Sequence, residues 1–333
     1  MSLASNMVRV MPACFLACCA HVSPMKKVPV LGANTWQSYD GKEMPWRPAD
    51  VPEGKPLRAV VITVHGLSGA ASDFWMLDDS LPRRGIAVCG MELRGMGNDP
   101  DVKHRGDIPS AGVWERDLFT FHQLIRARYP GVPVFWYGES LGSLIALHTQ
   151  AELMPETGPV PRPARLIFSS PIAGFKMEPP PWKSFAIHCA MALLPGRMVN
   201  LEKLAGVKDK DIRVTAHTTH KARMAVTPHY VPEFSLRLLR EIDRKVQTNR
   251  SALLCVRQPL LVLATPNDVI STRAQVQRFF DIVPSADKTI HWFERSYHLI
   301  LHDVQRDEAL RVVTAWLEAR MAGKSVAPSL AAR

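Results

Sequence analysis

The sequence predicts an α/β fold with a mainly parallel central sheet covered by helices on both faces. Three observations carry that prediction. Apolar, β-branched runs of strand length alternate with segments of helical periodicity along most of the 333 residues. The runs are apolar throughout rather than at every second position, as strands buried on both faces require. Glycine- and proline-marked stops separate the two kinds of segment.

The elements follow in order. "TWQSYDGKEMPWRPA" reads as two short strands around the Asp40-Gly41 turn. "PLRAVVITVHG" is a buried strand, "DFWMLDDSLPRRG" a helix ending at Gly85, and "IAVCGMELRGMG" a strand running into a glycine-rich loop. "GVWERDLFTFHQLIRARYPG" sets Val113, Leu118, Phe121, Leu124 and Ile125 on one helical stripe closed by Pro130-Gly131. The strand "VPVFWYG", the helix "SLGSLIALHTQAELM" and the strand "ARLIFSSP" come next. From about 172 to 256 the alternation breaks into an irregular stretch rich in Pro, Met and His, with one amphipathic helix in "VPEFSLRLLREIDRKV". Alternation resumes as strand "QPLLVLATPND", helix "STRAQVQRFFDIV", strand "KTIHWFERSYH" and helix "DVQRDEALRVVTAWLEARMAG". The break is therefore an insertion into one core. The expected division is an N-terminal segment 1–26, a core of 27–171 and 257–322, the insertion 172–256, and a disordered tail 323–333.

Composition narrows the function. Hydrophobic residues are 47% and charged residues 22% of the chain, values of an ordinary globular protein. The net charge of +10 comes from scattered Lys and Arg without a nucleic-acid-binding motif, so no nucleic-acid partner is expected. A basic surface remains compatible with anionic lipid and with membrane-surface association. Among Cys14, Cys18, Cys19, Cys89, Cys189 and Cys255 there is no CxxC pair, which excludes zinc-ribbon and thioredoxin motifs. Cys89, Cys189 and Cys255 read as small core residues. "MVRVMPACFLACCAHVSPMKK" resembles a signal peptide with a loose lipoprotein box at Phe15-Leu16-Ala17-Cys18. Export or a lipid anchor competes with an irregular start at Met7 or Met11 and a cytoplasmic location.

Gly138-Glu139-Ser140-Leu141-Gly142 fits G-x-S-x-G, and its setting between an apolar strand and an apolar helix is the one this motif requires. A tight strand-to-helix turn presents the serine in a strained conformation, and bulky residues at Gly138 or Gly142 would clash. A serine hydroxyl needs a base oriented by a carboxylate. With the nucleophile on such a turn, the acid and then the base follow at later strand ends. Asp268 closes "PLLVLATPND" and His298 closes "KTIHWFERSYH", so these are the expected acid and base. His291 inside that strand and His302, one turn into the next helix, read as packing or surface residues. The loop His65-Gly66-Leu67 ends another strand, and the Leu67 and Leu141 N–H groups are the expected oxyanion donors. His65 competes as a base but reads better as loop support with Gly66, because His298 fills that role in the expected order.

The motifs "VHGLSG", "MELRGMGND", "YGESLGS", "ATPNDVIS" and "SYHLILHD" together resemble the α/β-hydrolase superfamily over residues 36 to 320. Within it they are similar to the monoacylglycerol lipase and lysophospholipase, or serine aminopeptidase-like, branch. The resemblance implies a triad of Ser140, Asp268 and His298, an oxyanion hole at Leu67 and Leu141, and a mostly helical cap over the site from 172 to 256. It also implies hydrolysis of a carboxylic ester, a small lipid-like monoester foremost. Non-lipid esters, thioesters, peptides and a non-catalytic binding role are the alternatives. Three departures stand out: Glu92 where the family has Asp, Asn98 where it has Ser, and Ala70-Ala71-Ser72 in place of Glu-His.

The other features read plainly. His217 and His220 are three apart but lack further ligands, so they are expected to be exposed cap residues and no metal is expected. "GMGN" lacks the following helix that dinucleotide binding needs, so no cofactor is expected. Trp182, Phe185, Met191, Met198 and Met224 are expected either to line an acyl pocket or to pack the insertion.

Overall fold

Each long apolar run becomes a strand. The computed structural model describes residues 27–176, 179–200, 212–219, 222–223 and 226–321. Its strands are β1 (Val30–Leu31), β2 (Thr35–Gln37), β3 (Glu43–Ala49), β4 (Ala59–Val64), β5 (Ile86–Met91), β6 (Val134–Glu139), β7 (Arg165–Ser169), β8 (Met198–Val199), β9 (Phe234–Ser235), β10 (Leu260–Ala264) and β11 (Lys288–Trp292). The helices, renumbered in order, are α1 (Trp75–Ser80), α2 (Ala111–Arg128), α3 (Leu141–Leu153), α4 (Pro181–Leu193), α5 (Leu236–Gln247), α6 (Asn249–Leu253), α7 (Arg273–Ile282) and α8 (Arg306–Met321).

Nine strands form one sheet in the order β1-β2-β3-β5-β4-β6-β7-β10-β11. From β5 to β11 the neighbours are parallel; β1, β2 and β3 add antiparallel pairs at the β5 edge. The Asp40-Gly41 turn between β2 and β3 is a hairpin, with Gly41 at φ +89°.

Strand periodicity sorts the core into two layers. Val60, Ile62 and Val64 of β4, with Val134 and Trp136 of β6, face α2, α3, α5 and α7. Val61, Phe135 and Tyr137 face the other way, onto Phe74, Leu77 and the Val313, Trp316 and Leu317 side of α8. Two caps fix later helices: Ser235 accepts the Leu238 N–H at the start of α5, and Thr272 with Gln275 closes a capping box on α7.

Between β7 and β10 the chain leaves the sheet. Its second half returns to the core, where α5 buries Leu238 and Ile242 against α2 and α3. Those two side chains contribute about 3 to 6 kcal/mol of burial, enough to fix α5 to the sheet layer. α4 differs. It buries Met191 and rests on α5, with a 3.3 Å bond between His188 and Asp243. Its other face turns outward, leaving Trp182 73% and Phe185 71% exposed. Among the described residues these two aromatics are not packed into the insertion. Met198 is half-buried in β8, and Met224 lies outside the described residues.

Further expectations are corrected. Cys89 is buried in β5, but Cys189 and Cys255 are partly exposed, on the open-sided α4 and on the loop after α6. His302 is not in the last helix: a 3-10 turn over Ile300–His302 precedes it, and burial pushes its pKa down to about 4. Residues 1–26, with Cys14, Cys18 and Cys19, and the tail from 322 lie outside the described residues. No described helix is long and apolar enough to cross a membrane.

Candidate active site

The turn from β6 into α3 places Ser140 at φ +53°, a left-handed conformation that costs a non-glycine residue about 1 to 3 kcal/mol. The neighbouring glycines allow it. A Cβ on Gly142 would lie 1.9 Å from the Val64 carbonyl oxygen, and one on Gly138 would lie 2.6 Å from backbone atoms of Gly142 and Ser143. Only glycine fits between β4 and α3 at this approach. The Ser140 N–H donates to the Ser169 carbonyl at 2.9 Å, tying the turn to β7.

Asp268 follows β10 and His298 follows β11, and the sheet order carries both to the Ser140 edge. His298 Nδ1 lies 2.9 Å from Asp268 Oδ2, and its Nε2 lies 2.9 Å from Ser140 Oγ. With Nδ1–H donating to the carboxylate, Nε2 is left to accept the serine proton. Asp268 Oδ1 accepts the N–H groups of Ile270 (2.6 Å) and Ser271 (3.3 Å), which fixes its orientation. Burial disfavours the imidazolium of His298, but the charge and hydrogen bond of Asp268, helped by Glu139, outweigh it and raise the pKa. The three side chains form one buried line, with Ser140 4% exposed.

Leu141 follows Ser140 directly, and Leu67 follows Gly66. Leu141 opens α3, where the first N–H groups of a helix have no partner within it. Leu67 lies in a turn closed by the Gly69 N–H on the Gly66 carbonyl at 3.1 Å. Gly66 runs close to Ser140, since a Cβ there would lie 3.3 Å from Ser140 Cβ. His65 braces the loop. Its Nδ1 meets the Gly66 carbonyl at 2.9 Å, and its Nε2 accepts the Leu93 N–H at 3.1 Å. Neither ring nitrogen points at Ser140.

Two sequence departures are partners in space. Glu92 Oε1 accepts the Asn98 side-chain amide at 2.9 Å and the Ala71 N–H at 3.1 Å, and Glu92 Oε2 lies 3.4 Å from His65 Nε2. The longer acid and the longer amide together close the network beneath the loop.

Sequence reasoning passed over other residues here. Ser170, at φ +44°, donates its hydroxyl to the His298 carbonyl at 2.6 Å. Glu139, the variable position of the G-x-S-x-G pattern before Ser140, is buried, and its carboxyl is pushed up to about 7 by burial and by Asp73, against the pull of His298, Arg223 and His65. Asp73 accepts the Ala70 N–H at 2.9 Å and faces Arg223 at 3.7 Å and His229 at 3.9 Å. The Nε2 atoms of His229 and His302 are buried and have no side-chain hydrogen-bond partner among the described residues. No sequence pattern marks these residues, which meet only through the fold. His217 is exposed, and His220 lies outside the described residues. Glu115, His148 and Glu152 cluster elsewhere, where the Lys245 ammonium bonds Glu152 at 2.7 Å and also Glu115.

Comparison with known proteins adds to this geometry. The family model described as serine aminopeptidase, S33 matches residues 55–305. An uncharacterised abhydrolase domain-containing protein of Dictyostelium discoideum is 25% identical over 281 residues, 84% of this chain; the chain spans only 28% of that relative's length. A phospholipase of Bacillus subtilis is 23% identical over 267 residues, covering 78% of this chain and 95% of the relative. The solved structure of a monoacylglycerol lipase from Paleococcus ferrophilus, 23% identical, superimposes with a TM-score of 0.67 over 82% of this chain and 98% of that one. The last likeness is one of fold.

Proposed function

The chain belongs to the serine aminopeptidase S33 family, with the α/β-hydrolase fold, and from that premise we propose that it is a serine hydrolase cleaving carboxylic esters through an acyl-enzyme. The observation that carries the reading is the unbroken line Asp268–His298–Ser140, with both hydrogen bonds at 2.9 Å and the serine strained at the strand-to-helix turn. His298 takes the Ser140 proton as Oγ attacks the ester carbonyl. The negative charge that forms on the carbonyl oxygen is held by the Leu67 and Leu141 N–H groups. His298 then gives its proton to the leaving alcohol, and water attacks the acyl-enzyme by the same route in reverse. Asp268 keeps the imidazole in the tautomer this sequence needs.

The substrate is a small lipid-like monoester, such as a monoacylglycerol or a lysophospholipid. A relative named phospholipase supports that class. A second reading, a more polar ester, draws support from the buried Nε2 atoms of His229 and His302, for which no side-chain hydrogen-bond partner is found among the described residues. One experiment tests both. Purified wild type and Ser140→Ala are assayed against 4-nitrophenyl esters of rising chain length, a monoacylglycerol, a lysophospholipid and a polar aryl ester, with fluorophosphonate labelling alongside. The expected outcome is ester turnover that falls by about 10⁶-fold in Ser140→Ala, with labelling of the wild type alone. Absence of both turnover and labelling in the wild type rejects the reading. Preference for the polar ester selects the second form of it.

A further inference from the structure

We propose that Ser68 is a positioning residue whose hydroxyl couples the oxyanion-donating loop to the segment inserted between β7 and β10. The proposal rests on the hydrolase reading above, which makes Leu67 an oxyanion donor. Ser68 follows Leu67 directly and sits at φ +57°, a conformation that glycine adopts freely and a residue with a Cβ adopts at a cost. A serine is held there by one specific contact. Its buried hydroxyl donates to the carbonyl of Val231 at 2.9 Å, 163 residues further along the chain.

The same segment grips the rest of the site. Beyond Ser68, Asp73 fixes the Ala70 N–H with Oδ2 while its Oδ1 faces Arg223 and His229. On the opposite side, the Leu299 N–H donates to the Val214 carbonyl at 3.0 Å, and Asp303 accepts the Ala216 N–H at 2.8 Å. The inserted segment is thus bonded both to the loop that offers Leu67 and to the loop that carries His298. Ser68 makes the bond adjacent to the donor itself, so it sets where the Leu67 N–H points relative to Ser140.

Two variants separate the bond from the strain. Ser68→Ala keeps the Cβ in its left-handed conformation and removes the hydroxyl, whereas Ser68→Gly removes both. One hydroxyl–carbonyl bond biases the loop by about two- to tenfold. Both variants are therefore expected to lower kcat for a 4-nitrophenyl ester by about that factor with KM unchanged. Hydrogen exchange of the Gly69 and Ala70 amides should quicken similarly in both, while Ser68→Gly unfolds at the same temperature as Ser68→Ala or higher. Unchanged kcat and exchange in both variants overturn the proposal. So does a loss in Ser68→Ala that Ser68→Gly restores, since conformation alone would then decide activity. If the wild type turns over no ester, the functional reading fails by itself. Amide exchange then decides the coupling: faster exchange in both variants supports it, and unchanged exchange rejects it.

Discussion

Replacing Glu139 by glutamine should flatten the pH dependence of stability and shift the activity profile. Glu139 ends β6 beside the nucleophile, and burial together with Asp73 pushes its carboxyl from the usual 4.5 to about 7. A carboxyl raised in the folded state favours folding while it is protonated. That contribution is fully present below the unfolded value and is lost as pH rises through the folded one. At about 1.4 kcal/mol for each tenfold change in proton affinity, the full difference is about 3 kcal/mol, most of it developing between pH 5 and 8. Glutamine cannot ionise, so Glu139→Gln should gain about 2 to 3 kcal/mol relative to wild type between those two pH values. Urea unfolding of both proteins at pH 5 and pH 8 measures this directly. The same change removes a charge that favours the protonated form of His298, so the acidic limb of the kcat/KM profile should move to lower pH. Equal pH dependence of stability in the two proteins would refute the burial argument. An unmoved acidic limb would refute the link to His298.

Two further outcomes follow from the same geometry. Asp268→Asn should reduce kcat by about 10³- to 10⁴-fold, because the imidazole loses the partner that fixes its tautomer; steady-state kinetics showing near wild-type turnover would remove Asp268 from the triad. Gly142→Ala should destabilise the protein by about 3 kcal/mol or more, since its Cβ would meet the Val64 carbonyl at 1.9 Å and α3 cannot retreat without opening the sheet; an unchanged urea midpoint would contradict the close packing described.

The strands and the residues of the Asp268–His298–Ser140 line were legible because chemistry and periodicity constrain them locally. A buried parallel strand has to be apolar throughout, and a serine nucleophile has to follow a glycine-flanked turn. Asp268 and His298 could be selected by their places at strand ends. What escaped the sequence depends on which surfaces meet. Trp182 and Phe185 look like core residues in one dimension, yet α4 rests on α5 and leaves them exposed among the described residues. His302 fell four residues before the last helix because a 3-10 turn leaves no periodic signature. The bond from Ser68 to Val231 joins a hydroxyl to a main-chain carbonyl, so the acceptor's side chain carries no trace of it. Glu139 sits at a position the motif leaves open, and only burial gives it an unusual proton affinity.

The pairing of Glu92 with Asn98 bears on how such a loop can change over generations. Taken singly, each residue is a departure from a common pattern; joined at 2.9 Å, they amount to one alteration made in two places. A shorter acid at 92 alone would withdraw from both the exposed Asn98 and the buried Ala71 N–H, leaving the latter unsatisfied at about 1 to 3 kcal/mol. A lineage moving between the two versions therefore crosses a less stable intermediate, and sequences descended from it should exchange the two residues together.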